Sequence, residues 1–117
     1  MPTTPGEPLR IDVTERDNTT IVTIHGDVSI DQADAFAAQL QALAPTAKPV
    51  VVLDLTEMNF ICSRGLGAMV ILETERRKQD GLVRLAGPTR AIRQLIEATK
   101  LHRILPIYEG VDRATAR

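Results

Sequence analysis

Val50-Val51-Val52-Leu53-Asp54 decides how this chain is read. Four consecutive apolar residues, three of them β-branched, leave no polar side to face water. That pattern fits a strand covered on both faces, central in a sheet and parallel to its neighbours. A loop then leads into Asn59-Phe60-Ile61-Cys62-Ser63-Arg64-Gly65-Leu66-Gly67, and a helix is expected from about Arg64 to Gln79. The first half of that helix (Leu66, Ala68, Met69, Val70, Ile71, Leu72) is apolar nearly all round. The second half, Glu73 to Asp80, is almost wholly charged or polar, with Glu73 and Arg77 in the favourable i,i+4 order. Such a helix starts buried or covered by a partner and finishes in water.

Upstream, Leu9 to Thr14 has apolar residues at every second position and Thr19 to Ile24 is β-branched. With Asp17-Asn18 as a tight turn, the two segments form an antiparallel hairpin. From Ser29 the period lengthens: Ile30, Ala33, Phe36, Ala37, Leu40 and Leu43 or Ala44 mark one face of a helix. Ser29 and Gln32 have capping-box spacing, and Pro45 and Pro49 bracket the helix end.

Downstream come a strand over Leu82 to Ala86, a helix over Pro88 to Thr99 and a last strand over Ile104 to Tyr108. Pro106 confines that strand to an edge. The order β-β-α-β-α-β-α-β, with a short C-terminal helix, is an α/β domain with a mixed, mostly parallel sheet. It occupies residues 9–117, and the Pro-rich residues 1–8 read as a disordered tail.

The 117 residues suit one domain, with 44% apolar and 25% charged residues. Aromatics make up 3%, so the core must be aliphatic. The formal charge is −1 with no basic cluster, which argues against nucleic acid as a partner. Cys62 is the only cysteine, so there is no intrachain disulfide. The N-terminus lacks the basic and apolar regions of a signal peptide, and no stretch is apolar enough to insert in a membrane; a cytoplasmic protein is expected.

In parallel sheets, function gathers at the carboxyl ends of strands. Asp27 and Ser29, the stretch Asp54 to Gly67, and Pro88 with Thr89 fall there. Ser63 is expected at the helix N-cap, its hydroxyl accepting a backbone N–H, with Gly65 and Gly67 keeping the first turn open to a neighbour. A plain cap is one reading of Ser63. A phosphate there is the other, since it would sit at the positive end of the helix dipole and oppose an apolar partner. Cys62 as a nucleophile would need a base, for which only His25 and His102 are present. Asp27, Asp54 and Glu57 read better as caps or turn residues than as Mg2+ ligands. No phosphate-binding glycine loop is present. No catalytic residue, cofactor or metal is therefore expected.

Val50 to Asp54, Leu55-Thr56, Phe60-Ile61, Ser63, Gly65-Leu66-Gly67 and the Pro88-Thr89 helix start resemble the STAS family, specifically its anti-sigma factor antagonists, from about Ile11 to Ala114. The resemblance implies a STAS-like single domain that is no enzyme. It would bind an anti-sigma factor that is also a serine kinase, be phosphorylated on Ser63 and be reset by a serine phosphatase, controlling sigma-factor-dependent transcription. It places the partner surface at Asp27, Ser29, Cys62, Ser63, Arg64, Gly65, Leu66, Gly67 and Met69. In this family the residue before the serine is usually Asp and the one after it small; here they are Cys62 and Arg64. The acid usual after the second strand gives way to Ser29, and Lys100 stands where a Gly commonly ends the third helix. STAS domains also serve transporters and lipid-trafficking complexes, which implies the alternative of a separate subunit of such a complex.

Overall fold

The structure, a computed structural model, describes residues 8–45 and 48–115. The expected tail therefore lies outside the described residues except for Pro8, which is exposed and precedes the first strand. The elements are β1 (Arg10–Arg16), β2 (Thr19–Val28), α1 (Ile30–Leu43), β3 (Val50–Asp54), β4 (Met58–Ile61), α2 (Ser63–Arg77), β5 (Leu82–Ala86), α3 (Arg90–Ala98), β6 (Ile107–Tyr108) and α4 (Val111–Thr115).

The sheet runs β1-β2-β3-β5-β6. β1 pairs antiparallel with β2 from Arg10↔His25 to Arg16↔Thr19, leaving Asp17-Asn18 as the turn. Every other pairing is parallel. β3 is flanked on both sides, and Val51, Val52 and Leu53 are fully buried, as expected of an unbroken apolar run.

Alternation along the strands divides the core. Val22, Ile24, Val51, Leu53, Val83 and Leu85 pack against Phe36 and Leu40 of α1, Leu66, Met69 and Leu72 of α2, and Ile92 and Ile96 of α3. On the other face, Val52 and Ala86 meet Ala114 of α4. Arg84 holds α4 through a 2.8 Å bond to the Ala114 carbonyl and lies over the Tyr108 ring.

The last strand is shorter than expected. A 3-10 turn takes up Leu101–Arg103, and β6 begins only after Pro106, which has no N–H to donate. Its carbonyl still accepts from Leu85 N, and β6 is an edge strand.

The stretch after β3, expected as a loop, contains β4. It pairs with a continuation of β2 beyond Ile24: Gly26↔Met58, Asp27↔Phe60 and Val28↔Ile61. The register skips Asn59, a bulge next to Gly26 at φ 86°. This small parallel ladder carries the chain from the sheet to the start of α2.

Candidate functional site

Three short segments converge beyond the carboxyl end of β2. Met58 and Ile61 of β4 are both buried in the core; the bulge at Asn59 breaks the alternation between them, so Phe60, next to Ile61, faces outward and is 51% exposed. Cys62 N donates to Val28 O at 2.9 Å, which fixes the exit from β4, and the Cys62 carbonyl accepts from Leu66 N at 3.1 Å to open α2. Cys62, with extended φ −81° and ψ 169°, is thus the N-cap residue, and Ser63 is the first helical residue.

This corrects the expected cap. The α2 start has no side-chain cap hydrogen bond, and the Ser63 hydroxyl stands exposed in the first turn. Ser29 does occupy the N-cap of α1, but its side chain makes no cap bond either; Gln32 N bonds the Ser29 carbonyl instead. Thr89, by contrast, caps α3 by accepting from Ile92 N at 3.3 Å.

Ser63 lies on the wall of an apolar groove of about 600 Å³. Ile30, Phe60, Ile61, Cys62, Arg64, Leu66 and Leu95 complete the lining. Ile30 is the first residue of α1 and is 80% exposed, although its spacing matches the buried stripe of that helix. Ile30, Phe60 and Leu95 were not among the expected partner contacts, although Phe60 falls in the stretch Asp54 to Gly67 expected at this end of the sheet. They come from three elements far apart in sequence, and only their exposure as large apolar side chains distinguishes the first two. The charge on the groove wall is Arg64, whose guanidinium pairs with Asp34 of α1.

The other expected contact residues divide. Cys62, Ser63, Arg64 and Leu66 line the groove. Asp27 and Ser29 are half-buried at the end of β2 and do not line it. Met69 is fully buried in the core, so it supports this face from below and cannot touch a partner. Gly65 also faces inward: a Cβ there would lie 2.7 Å from Ile61 Cγ1 and 2.9 Å from Val28 Cγ1. Its lack of a side chain lets α2 approach β2 and β4, not a partner. Gly67 has open space around it.

His25 Nε2 is bonded to Asp12 Oδ2 at 3.0 Å and lies 3.2 Å from an Arg10 nitrogen, on the β1–β2 surface. Asp54 closes its own turn, accepting from Thr56 N at 3.1 Å and Thr56 Oγ1 at 2.8 Å. Among the described residues no cluster of three or more His, Cys, Asp or Glu could hold a metal ion, and no helix is long and apolar enough to cross a membrane.

Comparison with known proteins gives a match to the STAS domain over residues 10–114. An anti-sigma factor antagonist from Mycobacterium paratuberculosis superimposes with a TM-score of 0.83 at 22% identity, over 96% of this chain and 95% of that one. The Bacillus cell fate determinant SpoIIAA, in its phosphorylated form, gives a TM-score of 0.65 at 14% identity over 87% and 92%. A sulfate transporter family protein from Wolinella succinogenes gives 0.70 at 17% identity over 83% and 81%. At these identities the likeness is one of fold.

Proposed function

The chain belongs to the STAS domain family, and from that premise we propose that it is an anti-sigma factor antagonist, a binding protein and not an enzyme, switched by phosphorylation of Ser63. The observation that carries this reading is an exposed serine on the wall of an apolar groove, with Ile30 and Phe60 standing out of the surface nearby. A partner seated there would bury both side chains, each contributing up to about 1.5–3 kcal/mol when fully covered. The partner is an anti-sigma factor with serine kinase activity, acting in the cytoplasm. Ser63 Oγ would take the terminal phosphoryl group of the kinase's ATP; the new O–P bond forms as ADP leaves, and the hydroxyl proton passes to a base of the kinase. The phosphate would then sit at the positive end of α2, held by the dipole and the free N–H groups of its first turn. An apolar partner surface would have to desolvate that charge, and binding would fail. A serine phosphatase would reverse the change, and control of sigma-factor-dependent transcription would follow from the cycle.

The family's usual Asp is Cys62 here, which removes a like charge beside the phosphate. The test is affinity for the anti-sigma factor kinase together with phosphosite mapping. Ser63→Ala should bind as the unmodified chain does, and Ser63→Asp should bind at least tenfold more weakly. Equal affinities would rule out the switch.

The likeness in fold to a sulfate transporter family protein supports one second reading, a separate subunit of a membrane transport or lipid-trafficking complex. Co-purification with such a complex and not with a kinase would favour it.

A further inference from the structure

Arg64 is electrostatically misplaced. It is the second residue of α2, where the unbonded N–H groups already make the helix end positive, and the first turn of α2 contains no acid. Its guanidinium finds compensation across the rim, in an ion pair with Asp34 Oδ1 of α1. The two side chains are 69% and 79% exposed, so water and salt screen the pair and it separates readily. Arg64 follows Ser63 directly in the chain and lines the same groove, so its long, exposed side chain starts beside any group carried on Ser63.

We propose that Arg64 is a phosphate receiver held in reserve by Asp34: when Ser63 is modified, the guanidinium leaves Asp34 for the phosphate, and the α1–α2 bridge at the groove rim opens. The inference rests on the reading of Ser63 as the modified residue. A phosphoserine brings nearly two negative charges and three acceptor oxygens, against one charge on Asp34, and its geometry suits the two-pronged donor of arginine. The exchange therefore does two things at once. It partly neutralises the phosphate, and it frees the first turn of α2 from its ionic tie to α1, the helix that begins with Ile30.

The experiment uses the full chain with phosphoserine installed at position 63 during translation, so that no kinase is needed. The phosphate is titrated by phosphorus NMR at low salt in the parent, Arg64→Gln and Asp34→Asn. The parent phosphate should lose its second proton about half a pH unit below the Arg64→Gln chain. Asp34→Asn, which removes the competing acceptor, should titrate lower still. High salt should shrink both differences. Equal titrations in the parent and Arg64→Gln would overturn the proposal, as would a higher value in Asp34→Asn. A chain that no kinase phosphorylates would defeat the functional reading while leaving this titration as described.

Discussion

The α-carbon of Gly65 is pressed so close to Ile61 that a methyl group on it would come within 2.7 Å of Ile61 Cγ1. Gly67, two residues on, has nothing within 4 Å of the same added atom. The two glycines of one motif therefore have different work. Gly65→Ala should cost about 1–3 kcal/mol, because Ile61 and Val28 are themselves packed in the core and cannot give way freely. Gly67→Ala should gain up to about 1 kcal/mol from helix propensity. Denaturant melts of the two variants check both signs.

Ile30 and Phe60 are exposed, so neither contributes much to the core. The double replacement Ile30→Ser and Phe60→Ser should leave the unfolding free energy within about 1 kcal/mol of the parent, the sum of two surface changes. Affinity for the proposed anti-sigma factor kinase should nevertheless fall by more than tenfold, as expected for apolar anchors. A calorimetric binding measurement beside a thermal melt separates the two effects. Unchanged affinity would remove this groove from the interface.

Arg76 is 3% exposed, in a helix half whose composition reads as solvated. Its guanidinium donates to the Ala44 carbonyl at 2.6 Å and the Lys48 carbonyl at 2.9 Å, tying α2 to the residue that follows α1 and to the approach to β3. Arg76→Ala should destabilise by about 3 kcal/mol, from lost packing and from carbonyls left without a donor. Arg76→Lys should recover less than half, since one ammonium cannot span both carbonyls as the planar fork does. Urea melts of the two variants measure this directly.

How far the sequence could be read follows from where the signal resides. Val50 to Leu53 declares a central strand because being covered on both faces demands an unbroken apolar run. Asp17-Asn18 declares its hairpin because the turn is local. β4 is four residues long, interrupted by a bulge, and exists only by pairing with the far end of β2, so no local pattern marks it. The N-cap moved from Ser63 to Cys62 because the hydrogen bond that ends β4 runs from Cys62 N to Val28, a contact distant in sequence. The groove is harder still: Ile30 fits the buried period of α1, yet it is the first residue of that helix and stands outside the core.

Lys100 follows α3 with φ 62° and ψ 18°, the left-handed conformation in which a helix commonly ends on glycine. For a residue with a Cβ this conformation costs about 1–2 kcal/mol, whereas glycine adopts it freely. Glycine also has more conformational entropy to lose on folding, which offsets part of that gain. Lys100→Gly should therefore stabilise the chain by about 0.5–1 kcal/mol, and Lys100→Val, β-branched at the same angles, should destabilise it. Lys100 is not among the residues that line the groove, so neither change should alter binding of the proposed kinase. Thermal melts give the stability order Gly above Lys above Val. A parent as stable as Lys100→Gly would mean that the lysine side chain recovers the backbone cost through contacts of its own.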